Sequence, residues 1–307
     1  MVTAAAPERT AIIGAGLMGH GLALVFAQAG HRVRITDPVA QSRDSVLERV
    51  SATLASLGKD VSAAKQISVE ETLADAVHDA DIVIEAAPEK LELKQAIFAE
   101  LETHAPTGAI LASNTSVIPI GQIAARIVSK HRVAGTHWWN PPYLVPLVEV
   151  IETEGTSPET ITRLIALLKR VGKTPVHVKK DVPGFVGNRL QHALWREAIA
   201  LVAEGVCDAE TVDLVVKNSF GRRLAVLGPL ENADLVGTDL TLDIHRNVLP
   251  HIDRTPGPNP FLEKLVAEGK LGFKSGQGFR IWSEGGKAEV RTKVLEHLKV
   301  MSEVLGT

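Results

Sequence analysis

"TAIIGAGLMGHGLALVFAQAG", residues 10 to 30, decides the class of fold. Its first part, through Gly16, reads as a buried strand that ends in glycines. Its second part, Leu17 to Gly30, reads as a helix closed by glycine. "RVRIT" (32–36) is the next strand, and a long helical pattern runs from Pro38 to about Leu57. The result is a strand, a turn, a helix and a second strand. Gly14, Gly16 and Gly19 stand in the turn at the spacing G-x-G-x-x-G.

The alternation continues outward from this unit. Further strand candidates are "DIVIEAA" (81–87), "AILASN" (109–114), "RVAGTHW" (132–138), "PLVEVIE" (146–152) and "TPVHVKK" (174–180), with helical patterns at 90–104 and 158–171. Apolar strands alternating with helices imply an α/β fold, a Rossmann-like doubly wound parallel sheet buried on both faces. After "KDVPGF" (180–185) strand signals vanish and apolar residues recur at helical spacing. We therefore expect a sheet-based domain over 1–182 and an all-helical C-terminal domain over 183–307, joined at the Pro183-Gly184 turn.

Composition bounds the function. The chain has 307 residues, 45% hydrophobic and 22% charged, with net charge −3. Nothing in that balance suggests nucleic acid or an anionic membrane as a partner. A single cysteine, Cys207, excludes a disulfide framework or a cysteine-rich metal site and suits a reducing, cytoplasmic setting. The opening "MVTAAAPERT" lacks the pattern of a secretory leader, and no stretch approaches the roughly 18 apolar residues of a membrane span.

The glycines permit a tight turn and close backbone approach to a pyrophosphate, which would sit on the positive end of the following helix. Asp37, about twenty residues on at the end of the second strand, would accept bonds from the adenine ribose and repel a 2′-phosphate. NAD is thus the expected cofactor, although Arg43 nearby would blunt the discrimination. Leu17 and Met18 complete the loop, Met18 reading more as helix core than as a ligand contact. Without a nucleotide, the same residues would make a tight strand-to-helix turn.

Ligands bind beyond the carboxyl ends of strands in such sheets. "ASNTS" (112–116) and "HWWN" (137–140) each follow a strand, which gathers Ser116, His137, Asn114 and Asn140. Glu149 lies in the apolar run Leu147-Val148-Glu149-Val150-Ile151, where a buried carboxylate needs a partner. Oxidising an alcohol by hydride transfer needs a base near neutrality, and a carboxylate on the far ring nitrogen would orient it. His137 with Glu149 meets both needs. A satisfied core histidine, and a glutamate paired with some lysine or arginine, would meet the spacing equally well.

The combined pattern resembles the L-3-hydroxyacyl-CoA dehydrogenase family. It carries Ser113-Asn114-Thr115-Ser116, His137-Trp138-Trp139-Asn140-Pro141, Leu147-Val148-Glu149-Val150 and Pro183-Gly184-Phe185-Val186-Gly187-Asn188-Arg189, in the family's order from about Thr10 to Trp282. The resemblance implies that His137 is the general base and Glu149 its orienting partner. Ser116 would hold the substrate oxygen, with Asn188 fixing the substrate and its developing charge. "EAAPEKLELK" (85–94) resembles the nucleotide-side segment, with Ala86, Glu89 and Lys94 toward the cofactor, Lys94 on the nicotinamide-side ribose or phosphates. Asn114 and Asn140 would line the nicotinamide end, and Lys274 matches a family lysine near the cofactor. The family fold also implies a homodimer through the helical domain.

Three departures concern the substrate. The segment "SATLASLGKDVSAAKQI" (51–67) holds only Lys59 and Lys65, Thr53 stands for a CoA-contacting serine, and Asp60 occupies the position of a CoA-contacting lysine. The usual H-F-F-N-P-x-P is H-W-W-N-P-P-Y, so Trp138, Trp139 and Tyr143 would form an aromatic wall, with one tryptophan expected in the core. Arg222 and Arg223 replace part of a family turn and would either fork a carboxylate or form a solvated charged turn. These changes resemble the branch acting on free hydroxy compounds such as carnitine, gulonate and a pyridine carboxylate. The expectation is an NAD-dependent dehydrogenase of a small 3-hydroxy compound. A CoA thioester substrate, as in 3-hydroxybutyryl-CoA dehydrogenases, is the first alternative. A non-catalytic, crystallin-like NAD-binding protein is the second.

Overall fold

A computed structural model describes residues 7–306; residues 1–6, where no secretory leader is read, lie outside them. The chain divides into two compact units. One runs to Asn188 and takes in the chain from Glu296 onward, and the other is Arg189–Leu295.

The first unit is built on strands β1 (Arg9–Ile13), β2 (Arg32–Thr36), β3 (Ile67–Val69), β4 (Ile82–Glu85), β5 (Ile110–Ser113), β6 (Val133–Trp138), β7 (Leu147–Ile151) and β8 (Thr174–Val178). They form one sheet in the order β3-β2-β1-β4-β5-β6-β7-β8. Helices α1 (Leu17–Gln28), α2 (Ala40–Asp44), α3 (Val46–Ser56), α4 (Leu73–Val77), α5 (Leu91–His104), α6 (Ile120–Ile123) and α7 (Pro158–Arg170) connect them. The expected helix over 38–57 breaks at Ser45, and β3 was not anticipated because three residues carry no period.

Successive strand residues point to opposite faces, so each strand feeds two cores. Ile12, Ile35 and Ile84 meet Leu22, Phe26, Val50 and Leu164 on one face. Ala11, Ile13, Val83 and Leu111 meet Val77, Phe98, Leu101 and Ile120 on the other. That two-sided burial is why the strands read as continuous apolar runs. Helix α7 illustrates the local logic. Ser157 accepts a bond from the Thr160 amide, Pro158 opens the helix, and Lys169 and Arg170 lie in its last turn. Its buried Ile161, Leu164, Leu167 and Leu168 recur at helical spacing.

The sheet is parallel except where β6 pairs with β7 antiparallel. The segment between them, 139–146, is too short for the crossover that a parallel partner requires, so the chain must turn back. That reversal puts His137 directly opposite Glu149.

The first unit extends past the expected junction at 182/183. Phe185 is buried with Ile151 and Val178 in the second core, which ties 183–188 to the sheet. Helix α8 (Gly187–Ala203) leads into the second unit, which continues with α9 (Ala209–Asn218), α10 (Pro229–Val236), α11 (Thr238–Val248) and α12 (Pro260–Ala267). Helix α13 (Glu284–Leu305) returns the chain to the first unit. Among the described residues, no helix is long and apolar enough to cross a membrane.

Candidate active site

Strand β1 ends in the glycine turn. Gly14 adopts φ 107°, and a Cβ there would stand 2.7 Å from the Ala86 carbonyl oxygen at the end of β4. A Cβ on Gly19 would fall 1.7 Å from the Gly14 oxygen, so helix and strand can approach only through glycine. At Gly16, by contrast, a Cβ would meet nothing within 4 Å. Gly16 is also the N-cap of α1 and offers no capping side chain. The first amides of α1 are therefore presented beside open space at the positive end of a helix dipole. Leu17 is exposed, and Met18 packs against the core as its pattern suggested.

Asp37 accepts the Ala15 amide at 2.7 Å and the Val39 amide at 2.8 Å. Each oxygen retains a lone pair for a ribose hydroxyl. A glycine cradle with room at Gly16 and a carboxylate at the end of β2 fit NAD.

The chemistry-bearing side chains collect at the ends of β5 and β6. His137 Nδ1 lies 2.7 Å from Glu149 Oε2, with His137 4% and Glu149 1% exposed. The other carboxylate oxygen accepts the Val186 amide at 2.9 Å and the Gly187 amide at 3.0 Å. Burial opposes the ionisation of Glu149, but the His137 bond and the Gly187 and Val186 amides outweigh it and hold its pKa below the usual carboxylate value. An ionised carboxylate only accepts, so Nδ1 donates, and in the neutral form of the ring Nε2 carries the lone pair. Nε2 makes no hydrogen bond among the described residues. The His137 ring packs against Trp139 at 5.2 Å and Phe185 at 5.6 Å.

Ser116 is exposed at the end of β5. Its carbonyl accepts Asn188 Nδ2 at 2.9 Å. Asn114 Oδ1 accepts the Trp138 amide at 3.0 Å, which directs the Asn114 amide nitrogen away from β6. Asn140 is exposed, and its bond to Pro141 is cis. Glu89 holds the loop after β5: Thr115 Oγ1 donates to it, as do the Ser116 and Val117 amides at 3.0 and 3.1 Å. Burial again opposes ionisation, and the Thr115 bond, the nearby Lys94 charge and the two amides overcome it, so its pKa falls.

Three expectations need correction. Lys94 does not present a free ammonium to a nucleotide. It is 1% exposed and donates to Glu85 Oε1 at 2.7 Å and to the Ala87 carbonyl at 3.2 Å, a buried pair beneath the segment after β4. One tryptophan was expected in the core, and it is Trp138, which is therefore no part of a substrate wall. It adjoins His137 on one strand and so faces the opposite core, 2% exposed and 6.0 Å from Phe26. Tyr143 packs on that same side, beside Gly21, and lines a cavity of about 460 Å³ with Val25, Leu57, Lys59 and Lys173. Only Trp139 of the aromatic three stands against His137.

In the second unit, Arg222 and Arg223 are exposed on a 3₁₀ turn and make no ion pair among the described residues. Lys274, also exposed, lines an apolar cavity of about 600 Å³ with Trp195, Leu262 and Trp282. Asp60 caps a 3₁₀ turn through the Ser62 amide and hydroxyl, and Thr53 donates to the Arg49 carbonyl of its own helix.

The sequence reading missed Glu85, which is fully buried and holds Lys94, the Ala87 amide at 2.6 Å and the Ser113 hydroxyl at 2.6 Å. The signal was present. A carboxylate closing the apolar run Ile82-Val83-Ile84 needs partners for the same reason as Glu149.

Comparison with known proteins identifies the family. Residues 9–182 match the 3-hydroxyacyl-CoA dehydrogenase NAD-binding domain, and residues 184–282 match the C-terminal domain of the same enzymes. The chain belongs to the 3-hydroxyacyl-CoA dehydrogenase family. Members are NAD-dependent oxidoreductases, and NAD is the cofactor of this chain. One relative within the family is the 5-formyl-3-hydroxy-2-methylpyridine 4-carboxylate 5-dehydrogenase of Mesorhizobium japonicum, 38% identical and covering 87% of this chain and 88% of its own. A probable 3-hydroxybutyryl-CoA dehydrogenase of Bacillus subtilis is 40% identical, covering 89% and 96% respectively. The crystal structure of a 5-formyl-3-hydroxy-2-methylpyridine 4-carboxylic acid 5-dehydrogenase, described as an NAD+-dependent dismutase, superposes with TM-score 0.91 over 98% of this chain and 99% of that one, at 32% identity.

Proposed function

We propose that this family member oxidises the hydroxyl of a small, free 3-hydroxy compound, or reduces the corresponding oxo form, with His137 as the proton-handling group. The observation that carries the reading is the 2.7 Å His137–Glu149 pair, whose second carboxylate oxygen is anchored by two amides. Bound NAD supplies the hydride acceptor or donor. His137 Nε2 takes the hydroxyl proton, and Glu149 stabilises the imidazolium that forms. Ser116 and Asn188 orient the substrate oxygen, and Trp139 forms the apolar side of its pocket. Gly14, Gly16 and Gly19 cradle the pyrophosphate, Asp37 holds the adenine ribose, and Glu89, Asn114 and Asn140 shape the nicotinamide end.

A free substrate is favoured over a thioester because Asp60, at the position of a CoA-contacting lysine, is a carboxylate engaged as a cap. The retained set of Ser116, His137, Glu149 and Asn188 speaks against a purely structural protein. NADH formation should be measured with L-3-hydroxybutyryl-CoA beside free 3-hydroxybutyrate, carnitine and a hydroxymethylpyridine carboxylate. Turnover of the thioester alone would overturn the substrate assignment.

The chain acts as a homodimer in this reading. Between 189 and 295 the described residues bury little beyond Ala200, Leu265 and Lys287, while Leu214, Val215, Leu235, Leu240 and Ile244 are all exposed. Helices so apolar need a covering surface, and a second copy supplies one. Sedimentation as a monomer at micromolar concentration would refute this.

A further inference from the structure

Arg49, on α3, reaches the cofactor turn from outside the glycine motif. Its Nη2 donates to the Ala15 carbonyl at 2.6 Å and to the Ser42 carbonyl at 2.7 Å, and its Nη1 to the Gly16 carbonyl at 3.4 Å. Nε donates to Ser45 Oγ at 3.3 Å. None of these acceptors is a carboxylate, and among the described residues Arg49 forms no ion pair. Its charge is therefore not neutralised by a direct ion pair among the described residues.

The geometry of the peptide group gives this contact a consequence. In a trans peptide the carbonyl and the following N–H point in opposite directions. Holding the Ala15 carbonyl toward α3 turns the Gly16 amide away from α3, and holding the Gly16 carbonyl does the same for the Leu17 amide. The Ala15 amide is fixed from the other side by Asp37 at 2.7 Å, and the Gly16 carbonyl also accepts the His20 amide at 3.2 Å. The turn is thus gripped at successive peptide units. The amides left free open at the uncapped end of α1, where Gly16 leaves space.

We propose that Arg49 is a positioning residue that sets the affinity of this chain for NAD. Its fork orients the Gly16 and Leu17 amides toward the pyrophosphate, and its charge reinforces the α1 dipole at the same point. Aligned amides and an added positive charge act on an anion together, whereas a bare stabilising contact would not discriminate between ligand-bound and free protein.

The test is a fluorescence titration of NADH with wild type, Arg49→Met and Arg49→Lys, alongside thermal melting and steady-state kinetics. Arg49→Met should raise the NADH Kd by roughly tenfold or more, as loss of charge-assisted bonds implies. Arg49→Lys should raise it by about threefold or more, because one ammonium cannot hold three carbonyls in a fixed fork. In both variants the KM for NAD should rise more than kcat falls. A Kd within about twofold of wild type, with only the melting temperature lowered, would overturn the proposal. Equality of Arg49→Lys with wild type would overturn the orienting role of the fork. Should Arg49→Met fail to fold, the lysine variant decides the question.

Discussion

Replacing Glu149 by Gln isolates the tautomer argument. One carboxylate oxygen accepts two amides, from Val186 and Gly187, and the other faces His137 Nδ1. A glutamine has one oxygen and one NH₂ to place on these two sides. Turning the NH₂ toward the amides would forfeit two hydrogen bonds worth about 0.5–1.5 kcal/mol each and set donor against donor. The oxygen therefore stays with the amides and the NH₂ faces Nδ1. Nδ1 must then accept, the ring proton moves to Nε2, and the base is lost. General-base contributions of about 10²–10⁴, and the comparable carboxylate-to-amide change in a catalytic triad, lead us to expect kcat to fall by about 10³-fold, or ~4 kcal/mol of barrier. The assay is NADH formation at saturating NAD and substrate, with circular dichroism and urea denaturation to verify the fold. A kcat within about threefold of wild type, in a correctly folded variant, would refute the reasoning.

Three further outcomes follow from the same geometry. Because the folded pKa of Glu149 is depressed, its contribution to stability is fully present above the ordinary value of 4.5 and is lost as pH falls below it. Wild-type stability should therefore drop on acidification through that range more steeply than that of the Gln variant, as read by urea midpoints at several pH values. Gly187→Ala would place a Cβ 2.4 Å from Trp139 Cζ2 and 3.3 Å from Glu149 Oε2. Overpacking there should lower stability by about 1–3 kcal/mol and reduce kcat, with a changed tryptophan emission reporting the displaced ring. Lys94→Met leaves Glu85 buried without its cation and should destabilise by about 3–5 kcal/mol; an unchanged urea midpoint would count against the buried pair.

The order of elements and several contacts of the candidate site were legible without coordinates. Apolar runs marked β1, β4, β5 and β6, and the strand-turn-helix context gave the glycine spacing its meaning. Period-two alternation in β6 also contained the separation of His137 from Trp138, since neighbours on a strand face opposite cores. The pairing of His137 with Glu149 was legible as a need, because an apolar strand carrying a carboxylate demands a partner.

Identity of partners is where local reading ended. Lys94 reads from the sequence as a cation free to meet a ribose or phosphate, and only the packing of α5 against the end of β4 buries it against Glu85. Tyr143 lies within reach of His137 along the chain, yet the turn after Pro141 carries it to the α1 side of the sheet. Arg49 shares no motif with the glycine turn that it grips. Which face of each element is apolar, and which residue types can bind or move a proton, can be read directly along the chain, since those properties are local and periodic. The tertiary structure alone decided which side chains meet, including the antiparallel return of β7 and the amides that anchor Glu149, because contacts between segments distant in sequence are set by packing and leave no local trace.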